Sequence, residues 1–286
     1  MGASGDSVLR AMTNDGGFRV MAGLTTETVR GAVAAQNAEG RIAELLAELV
    51  TGAILVRETM SPGQRVQVNL VGREGLGQII ADSLPNGTAR GLLRISKRNT
   101  DLALGDGAML KVMRSLPNGE VHRGIIEVPA DATVSDMLTV YMKVSEQVDS
   151  MISVGCKMKD GAVESAGGYV VQLLPELEPG QLMIMQERIK DFREIRELLD
   201  GAASSPARLI EELLFRMEYT KLGESPLKFE CGCSDVRVMT SLAALPRTDI
   251  AELVESGENI ELSCDYCGAT YTVGPEHLRG LLEPGS

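Results

Sequence analysis

Two tight cysteine pairs lie close to the end of the chain, and they constrain its fold more than any other feature. The first is Cys231-Gly232-Cys233; the second is Cys264-Asp265-Tyr266-Cys267-Gly268, and 30 residues separate them. The rest of the 286-residue chain contains one further cysteine, Cys156. A CxxC turn aims two sulfurs at one point, and Gly268 frees the backbone just beyond it. A CxC pair does the same on extended backbone. Together the pairs offer four thiolates, the donor set of one tetrahedral zinc ion with Zn–S distances of about 2.3 Å. An iron–sulfur cluster is the competing metal centre, and buried, unliganded cysteines are the reading without metal. Four thiolates leave no coordination position for a reactive water, so hydrolysis at the ion is not expected. A closed site supplies folding energy instead, about 10–16 kcal/mol apparent in small zinc peptides. Thiolates held this way still react with oxidants. Oxidation is therefore expected to remove the metal and the folding support together.

Charge and composition narrow the partners. The net charge is −12, which repels nucleic-acid phosphates and acidic membranes. Aromatic residues make up 3% of the chain and tryptophan is absent, so the core must be aliphatic. Met1 to Asp6 has neither a basic start nor an apolar run, and no secretion signal is expected. Ile42 to Val56 is the longest apolar stretch, but Glu44 and Glu48 interrupt it and rule out a bilayer span. A cytoplasmic location is expected, where cysteines rest reduced. Cys156 reads as a small apolar core residue, and His122 and His277 as bystanders.

Three regions separate by pattern, and the fold class expected is α+β. Residues 1–175 form an N-terminal domain with a mainly antiparallel sheet. It opens with helical patterning, clearest from Arg41 to Val56, where Ile42, Leu45, Leu46 and Leu49 recur at helical spacing. Arg65 to Leu70 alternates as a strand does, and strands are also expected at Arg90–Ile95, Met109–Arg114, His122–Val128 and Tyr169–Leu174. Pro-Asn-Gly occurs at Pro85-Asn86-Gly87 and Pro117-Asn118-Gly119, and at least the second is expected to join adjacent antiparallel strands; Ser135 to Val148 reads as a helix. Gly72 to Gly77 reads as a turn and not as a nucleotide loop.

Residues 176–228 form a helical, metastable linker. Ile189, Phe192, Ile195 and Leu199 lie on one side of a charged helix, which Gly201-Ala202-Ala203-Ser204 interrupts. Ser205 caps a second helix with Pro206 at its first position. Leu209, Ile210, Leu213, Leu214 and Met217 give that helix an apolar stripe, which needs a surface to cover it. Residues 229–286 form the cysteine module. Helices are expected after Ser234 and after Thr248 or Asp249, strands at Glu258–Ser263 and Thr270–Val273, and a last helix from Pro275.

The sequence resembles the redox-regulated thirty-three-kilodalton heat-shock chaperones. The likeness is strongest in Phe229-Glu230-Cys231-Gly232-Cys233-Ser234 with Arg237, and in Cys264-Asp265-Tyr266-Cys267-Gly268 with Tyr271. It continues through Arg90-Gly91, Tyr141 with Ser145-Glu146-Gln147, and Ala166-Gly167-Gly168 with Gln172 and Leu174-Pro175, in the same order. Gly72-Arg73-Glu74-Gly75-Leu76-Gly77 departs from the Gly-Asp-Gly-Pro-Leu-Gly-like turn of that family. The resemblance implies a reduced, zinc-bound, largely inactive monomer. It implies that oxidants form the disulfides Cys231–Cys233 and Cys264–Cys267, release zinc and unfold the module with its linker. The active form would be a homodimer that holds unfolded client proteins without ATP and passes them to the ATP-driven seventy-kilodalton chaperone system. Leu209, Ile210, Leu213, Leu214 and Met217 are then candidate client-contact or switch residues. Charged substitutions at Leu209 and Leu213 are expected to impair suppression of aggregation.

Two other functions are weighed. A zinc ribbon that binds nucleic acid needs a basic surface, whereas Glu230, Asp235, Glu252, Glu255, Glu258, Glu261, Asp265 and Glu276 accompany the cysteines. A thiol–disulfide oxidoreductase needs its CxxC at a helix start, but Cys264-Cys267 falls between two expected strands. No catalytic constellation is evident, and the chain is read as a non-enzyme.

Overall fold

The helix expected at Arg41–Val56 is the centre of the structure. The computed structural model describes residues 5–96, 101–192, 194–199 and 205–283. The chain opens not with helices but with a hairpin of β1 (Ser7–Thr13) and β2 (Phe18–Leu24). α1 (Thr26–Ala35) and α2 (Gly40–Thr59) follow. β3 (Arg65–Val71), β4 (Gln78–Ser83), β5 (Thr88–Arg94), β6 (Met109–Ser115) and β7 (Val121–Glu127) form consecutive antiparallel pairs, with β6 joining β3. α3 (Val134–Val144), β8 (Ser150–Lys159) and β9 (Ala162–Leu173) complete the first part. After them come α4 (Pro179–Asp191), α5 (Ile195–Leu198), α6 (Pro206–Leu213), β10 (Tyr219–Pro226) and β11 (Lys228–Phe229). The last elements are α7 (Asp235–Leu242), α8 (Arg247–Ser256), β12 (Ile260–Ser263), β13 (Thr270–Val273) and α9 (Pro275–Leu282).

Residues 1–230 make one compact unit and 231–286 a second. In the first, a five-stranded sheet runs β10-β1-β2-β9-β8 and a six-stranded sheet runs β11-β5-β4-β3-β6-β7. Every pairing is antiparallel except β11 with β5. α2 lies between the sheets and is buried on nearly all sides, as a helix apolar all round must be. Val8, Met21 and Val170 reach it from one sheet, and Val68, Ile79 and Leu110 from the other. The second Pro-Asn-Gly forms the expected hairpin turn and the first forms one too, with Gly87 and Gly119 at positive φ. β9 threads tightly between β2 and β8. A Cβ on Gly168 would sit 2.5 Å from the Ser153 carbonyl oxygen, and one on Gly167 2.6 Å from that of Gly23.

Several expectations need correction. Ser7–Thr13 and Phe18–Leu24 are strands because Phe18, Val20 and Ala22 alternate with a second apolar set, and a strand buried on both faces lacks the clean alternation that reveals it. The helix expected to reach Val148 stops at Val144, where Ser145 caps it. The charged helix breaks after Asp191, so Ile195 and Leu199 belong to a separate short turn. Gly201-Ala202-Ala203-Ser204 lies outside the described residues. The segment 176–228 is helical only to Leu213; its final stretch pairs with β1 as β10. α8 starts at Arg247 after Pro246, with neither Thr248 nor Asp249 as its cap. Ser205 and Ser234 do cap α6 and α7, accepting from the Arg208 and Arg237 amides at 3.1 and 3.3 Å.

α2 carries a buried carboxylate, Glu48, that faces the helical segment. Arg196 Nη2 of α5 donates to its Oε1 at 2.6 Å. Burial raises the Glu48 pKa above 4.5 and outweighs Arg196. The folded chain therefore holds this proton more tightly than the unfolded chain. The stabilisation is complete below about pH 4.5 and declines as pH climbs through the higher folded value. Glu48→Gln is expected to flatten that decline, read as urea unfolding free energies of both proteins from mildly acidic to neutral pH. Parallel profiles would rule out this assignment.

Candidate metal centre

The second unit is small and thinly packed. Leu242, Ile250, Val273 and Leu278 are its buried apolar side chains among the described residues, with a partly buried ring that includes Val238, Leu253 and Ile260. So few buried groups offset little of the cost of ordering 56 residues. Additional cross-links are required, and the cysteines are placed to supply them.

β12 and β13 form a hairpin whose turn is the CxxC sequence. The Cys264 amide donates to the Ala269 carbonyl at 2.9 Å, and the Gly268 amide to the Cys264 carbonyl at 2.8 Å. Gly268 has φ of +71°, the left-handed conformation that a glycine adopts without strain. The CxC pair lies on the extended segment just before α7. The Arg237 guanidinium donates to the Gly232 carbonyl at 2.9 Å and holds that segment.

All four sulfurs lie within 4.8 Å of one another. Cys231 is 3.6 Å from Cys264, and Cys233 is 3.4 Å from Cys267. Sulfurs at the corners of a tetrahedron around zinc would be about 3.8 Å apart. The arrangement therefore fits one ion with four thiolates, and the soft donor set suits zinc or iron–sulfur chemistry. All four are free thiols. Crowding shows in the thiol of Cys267, pushed up to about 12 by burial first and then by its three cysteine neighbours. A cation is the natural relief. The neighbouring Cys233 sulfur raises the Tyr271 hydroxyl on β13 to about 12. Tyr271 is an outer-sphere partner that only the fold brings to the site. The CxxC lies in a β-turn, not at the helix start that activates a nucleophilic thiol.

His122 on β7 and His277 on α9 are not in this cluster. Cys156 is buried in β8, its thiol pushed up to about 12 by burial and then by Glu48 and Glu44. It packs as an apolar residue.

The first unit presents a second feature. The five-stranded sheet is apolar on both faces. Its inner face meets α2; its outer face, Leu9, Ala11, Phe18, Val20, Tyr169 and Val171, is covered by the helical segment. Leu209, Ile210 and Leu213 of α6 and Leu214 at its end are all buried there, Met217 is partly buried, and Met185, Ile195 and Leu199 extend the cover. Each fully buried side chain contributes roughly 1.5–3 kcal/mol of transfer free energy. Tyr169 Oη donates to the Phe192 carbonyl at 3.2 Å, and Arg188 Nη1 to that of Leu213 at 2.7 Å. Reading the sequence found the covering residues and missed the surface beneath. Phe18, Val20 and Ala22 do alternate, but Met21 between them is apolar too and masks the period.

The Hsp33 protein family matches residues 6–274. The chain belongs to that family. It is 29% identical to the 33 kDa chaperonin of Syntrophotalea carbinolica, an alignment covering 97% of this chain and 99% of the relative. It is 26% identical to the 33 kDa chaperonin of Listeria monocytogenes, over 97% of this chain and 98% of the relative. The crystal structure of the 33 kDa chaperonin (heat shock protein 33 homolog) from Thermotoga maritima superposes with a TM-score of 0.81 at 21% identity, covering 98% of each chain. That likeness establishes the fold. Among the described residues no helix is long and apolar enough to cross a membrane.

Proposed function

We propose that this chain is a redox-regulated, ATP-independent chaperone whose cysteine module locks away an apolar sheet face. The observation that carries the reading is the sulfur tetrad, at tetrahedral spacing in a module with almost no core of its own. Cys231, Cys233, Cys264 and Cys267 would hold one zinc ion, which when bound supplies a cross-link between the CxC segment and the β12–β13 hairpin. Membership of a chaperone family supports unfolded proteins as clients. The acidic surface and the β-turn setting of the CxxC speak against nucleic-acid binding and thiol–disulfide turnover.

Oxidation by a peroxide converts each cysteine pair to a disulfide, the peroxide oxygens leaving as water. The thiolate donors are consumed, and the module loses the cross-link its fold depends on. Loss of order would pass through β11 and β10 to α4–α6 and uncover the sheet face around Phe18, Val20 and Tyr169. An uncovered face of this kind binds the exposed apolar segments of unfolding proteins. It also favours pairing of two copies, and bound clients would be handed to an ATP-driven seventy-kilodalton chaperone system. A reducing, cytoplasmic setting suits the resting state.

The nearest sulfurs in the folded module lie across the pairs. Once the module opens, chain proximity decides, and short loops close more readily than long ones. Disulfides Cys231–Cys233 and Cys264–Cys267 are therefore expected. Bound zinc, free thiols, peptide-mapped disulfides and suppression of client aggregation should be measured on the same samples before and after mild peroxide. The expected result is one zinc per chain at the start, its loss in step with four thiols, and a matching rise in suppression. Full suppression with all thiols reduced and zinc retained would refute the switch.

A further inference from the structure

A cleft of about 280 Å³ opens where the end of α2 meets β1, β2 and β10. Its wall holds three arginines, Arg10, Arg19 and Arg57, against one carboxylate, Glu58, with the Ser61 and Ser225 residues at the same opening. Glu58 is almost wholly buried and pairs with both Arg10 and Arg57. Arg10 Nη1 also donates to Ser225 Oγ at 2.9 Å, and Arg57 Nε to Ser83 Oγ at 2.9 Å. These bonds hold two of the guanidinium groups in place and leave the cleft two positive charges in excess. In a chain of net charge −12, that concentration of positive charge is anomalous.

Arg19 is the unbalanced member. Among the described residues no carboxylate lies within ion-pair distance of it; its contacts are the Thr59 and Glu58 carbonyls, at 3.4 and 3.5 Å. Those lengths exceed the usual 2.7–3.2 Å, so its fork of donors is only loosely engaged. Burial lowers its pKa, and Arg10's positive charge lowers it further, ahead of the opposing effect of Glu58. Several other arginines of this unit do meet a carboxylate: Arg65 and Arg90 share Asp82, Arg114 faces Glu146 and Arg196 faces Glu48. A half-buried cation left in excess attracts an anion, and converging guanidinium forks suit an oxyanion.

We infer that the Arg10–Arg19–Arg57 cleft is a binding site for a phosphate-class oxyanion, either the free ion or a phosphoryl group on a larger molecule. Its double excess charge matches a dianion, and serine hydroxyls complement the arginine donors. The site needs none of the cysteine chemistry and stands apart from the chaperone reading. Because Ser225 lies on β10, an anion here would tie β10 to β1 and α2.

The test uses the reduced full-length protein. Inorganic phosphate, pyrophosphate and phosphoserine are titrated by calorimetry, and unfolding midpoints are taken against chloride at equal ionic strength. One saturable site and a midpoint rise beyond the chloride control are expected. Arg19→Gln should weaken binding at least tenfold, Arg19→Lys by less, and Arg73→Gln, in the β3–β4 turn, should bind as the parent does. Ser61→Glu leaves every arginine in place and adds a carboxylate at the opening; it should also weaken binding, and keeps the test decisive where Arg19→Gln fails to fold. Phosphoserine binding as tightly as phosphate would assign the source to phosphoryl groups, and phosphate alone to the free ion. No saturable binding by any of the three, a midpoint rise equalled by chloride, or unweakened binding by folded Arg19→Gln or by Ser61→Glu would overturn the site.

Discussion

Cys267→Ser is expected to abolish stoichiometric metal binding and unfold residues 231–286 under fully reducing conditions. The serine oxygen is a harder and far less acidic donor than a thiolate, so the tetrad drops to three ligands. The module then has to stand on Leu242, Ile250, Val273, Leu278 and their partly buried neighbours. Forfeiting most of about 10 kcal/mol of metal-linked folding energy exceeds what such a core returns. Metal analysis, limited proteolysis and amide exchange are the measurements. Metal content should fall from one per chain to near zero, and amides of α7–α9 should lose most of their protection. Cys264→Ser should behave alike. Cys156→Ser should leave the metal in place, since that thiol lies in β8 of the other unit. A Cys267→Ser protein with full zinc and a protease-resistant module would refute the coupling between metal and fold.

Leu213→Asp tests the other half of the mechanism, and the structure changes what it should do. Leu213 is fully buried against the five-stranded sheet, so a carboxylate there loses packing and must be desolvated. A cost of about 3–5 kcal/mol falls on a short helix whose stability comes almost wholly from that contact. α6 should lift, and the face of Leu9, Phe18, Val20 and Tyr169 should be uncovered without any oxidant. The expected result is suppression of client aggregation by the reduced protein, approaching that of the oxidised parent, with zinc still bound. The sequence alone led to the expectation that charges at Leu209 and Leu213 impair activity, which holds if these side chains themselves grip clients. Comparing the oxidised forms separates the two roles. Leu213→Asp equal to the parent places the grip on the sheet face; weaker suppression places it on the stripe. Reduced Leu213→Asp that stays inactive, with α6 still protected from exchange, would remove α6 as the lock.

The local features were legible because each rests on neighbours in the chain. Ser205-Pro206 and Ser234 marked helix starts through hydrogen bonds that span three residues. The two Pro-Asn-Gly turns required positive φ at glycine wherever the rest of the chain ran. The CxxC turn and its flanking strands follow the same logic. β1, β2 and β8 were not legible. Val8 packs on the inner face and Leu9 on the outer one, so adjacent positions are both apolar and no period stands out. Tyr271 and Arg237 were noticed only through family likeness, and their contacts with Cys233 and Gly232 belong to folded geometry.

Composition and spacing alone settled that this chain would gather four thiols in a small acidic module and carry apolar stripes in want of a cover. Each cysteine pair and each stripe is local, written in residues no more than about ten positions apart. What the stripes cover depends on segments brought together from opposite ends of a long unit, and that Arg10, Arg19 and Arg57 share one cleft depends on how α2 packs against β1 and β2. Such contacts arise from closure of distant segments around α2, where many weak burial terms act at once, and no short window of sequence records their sum.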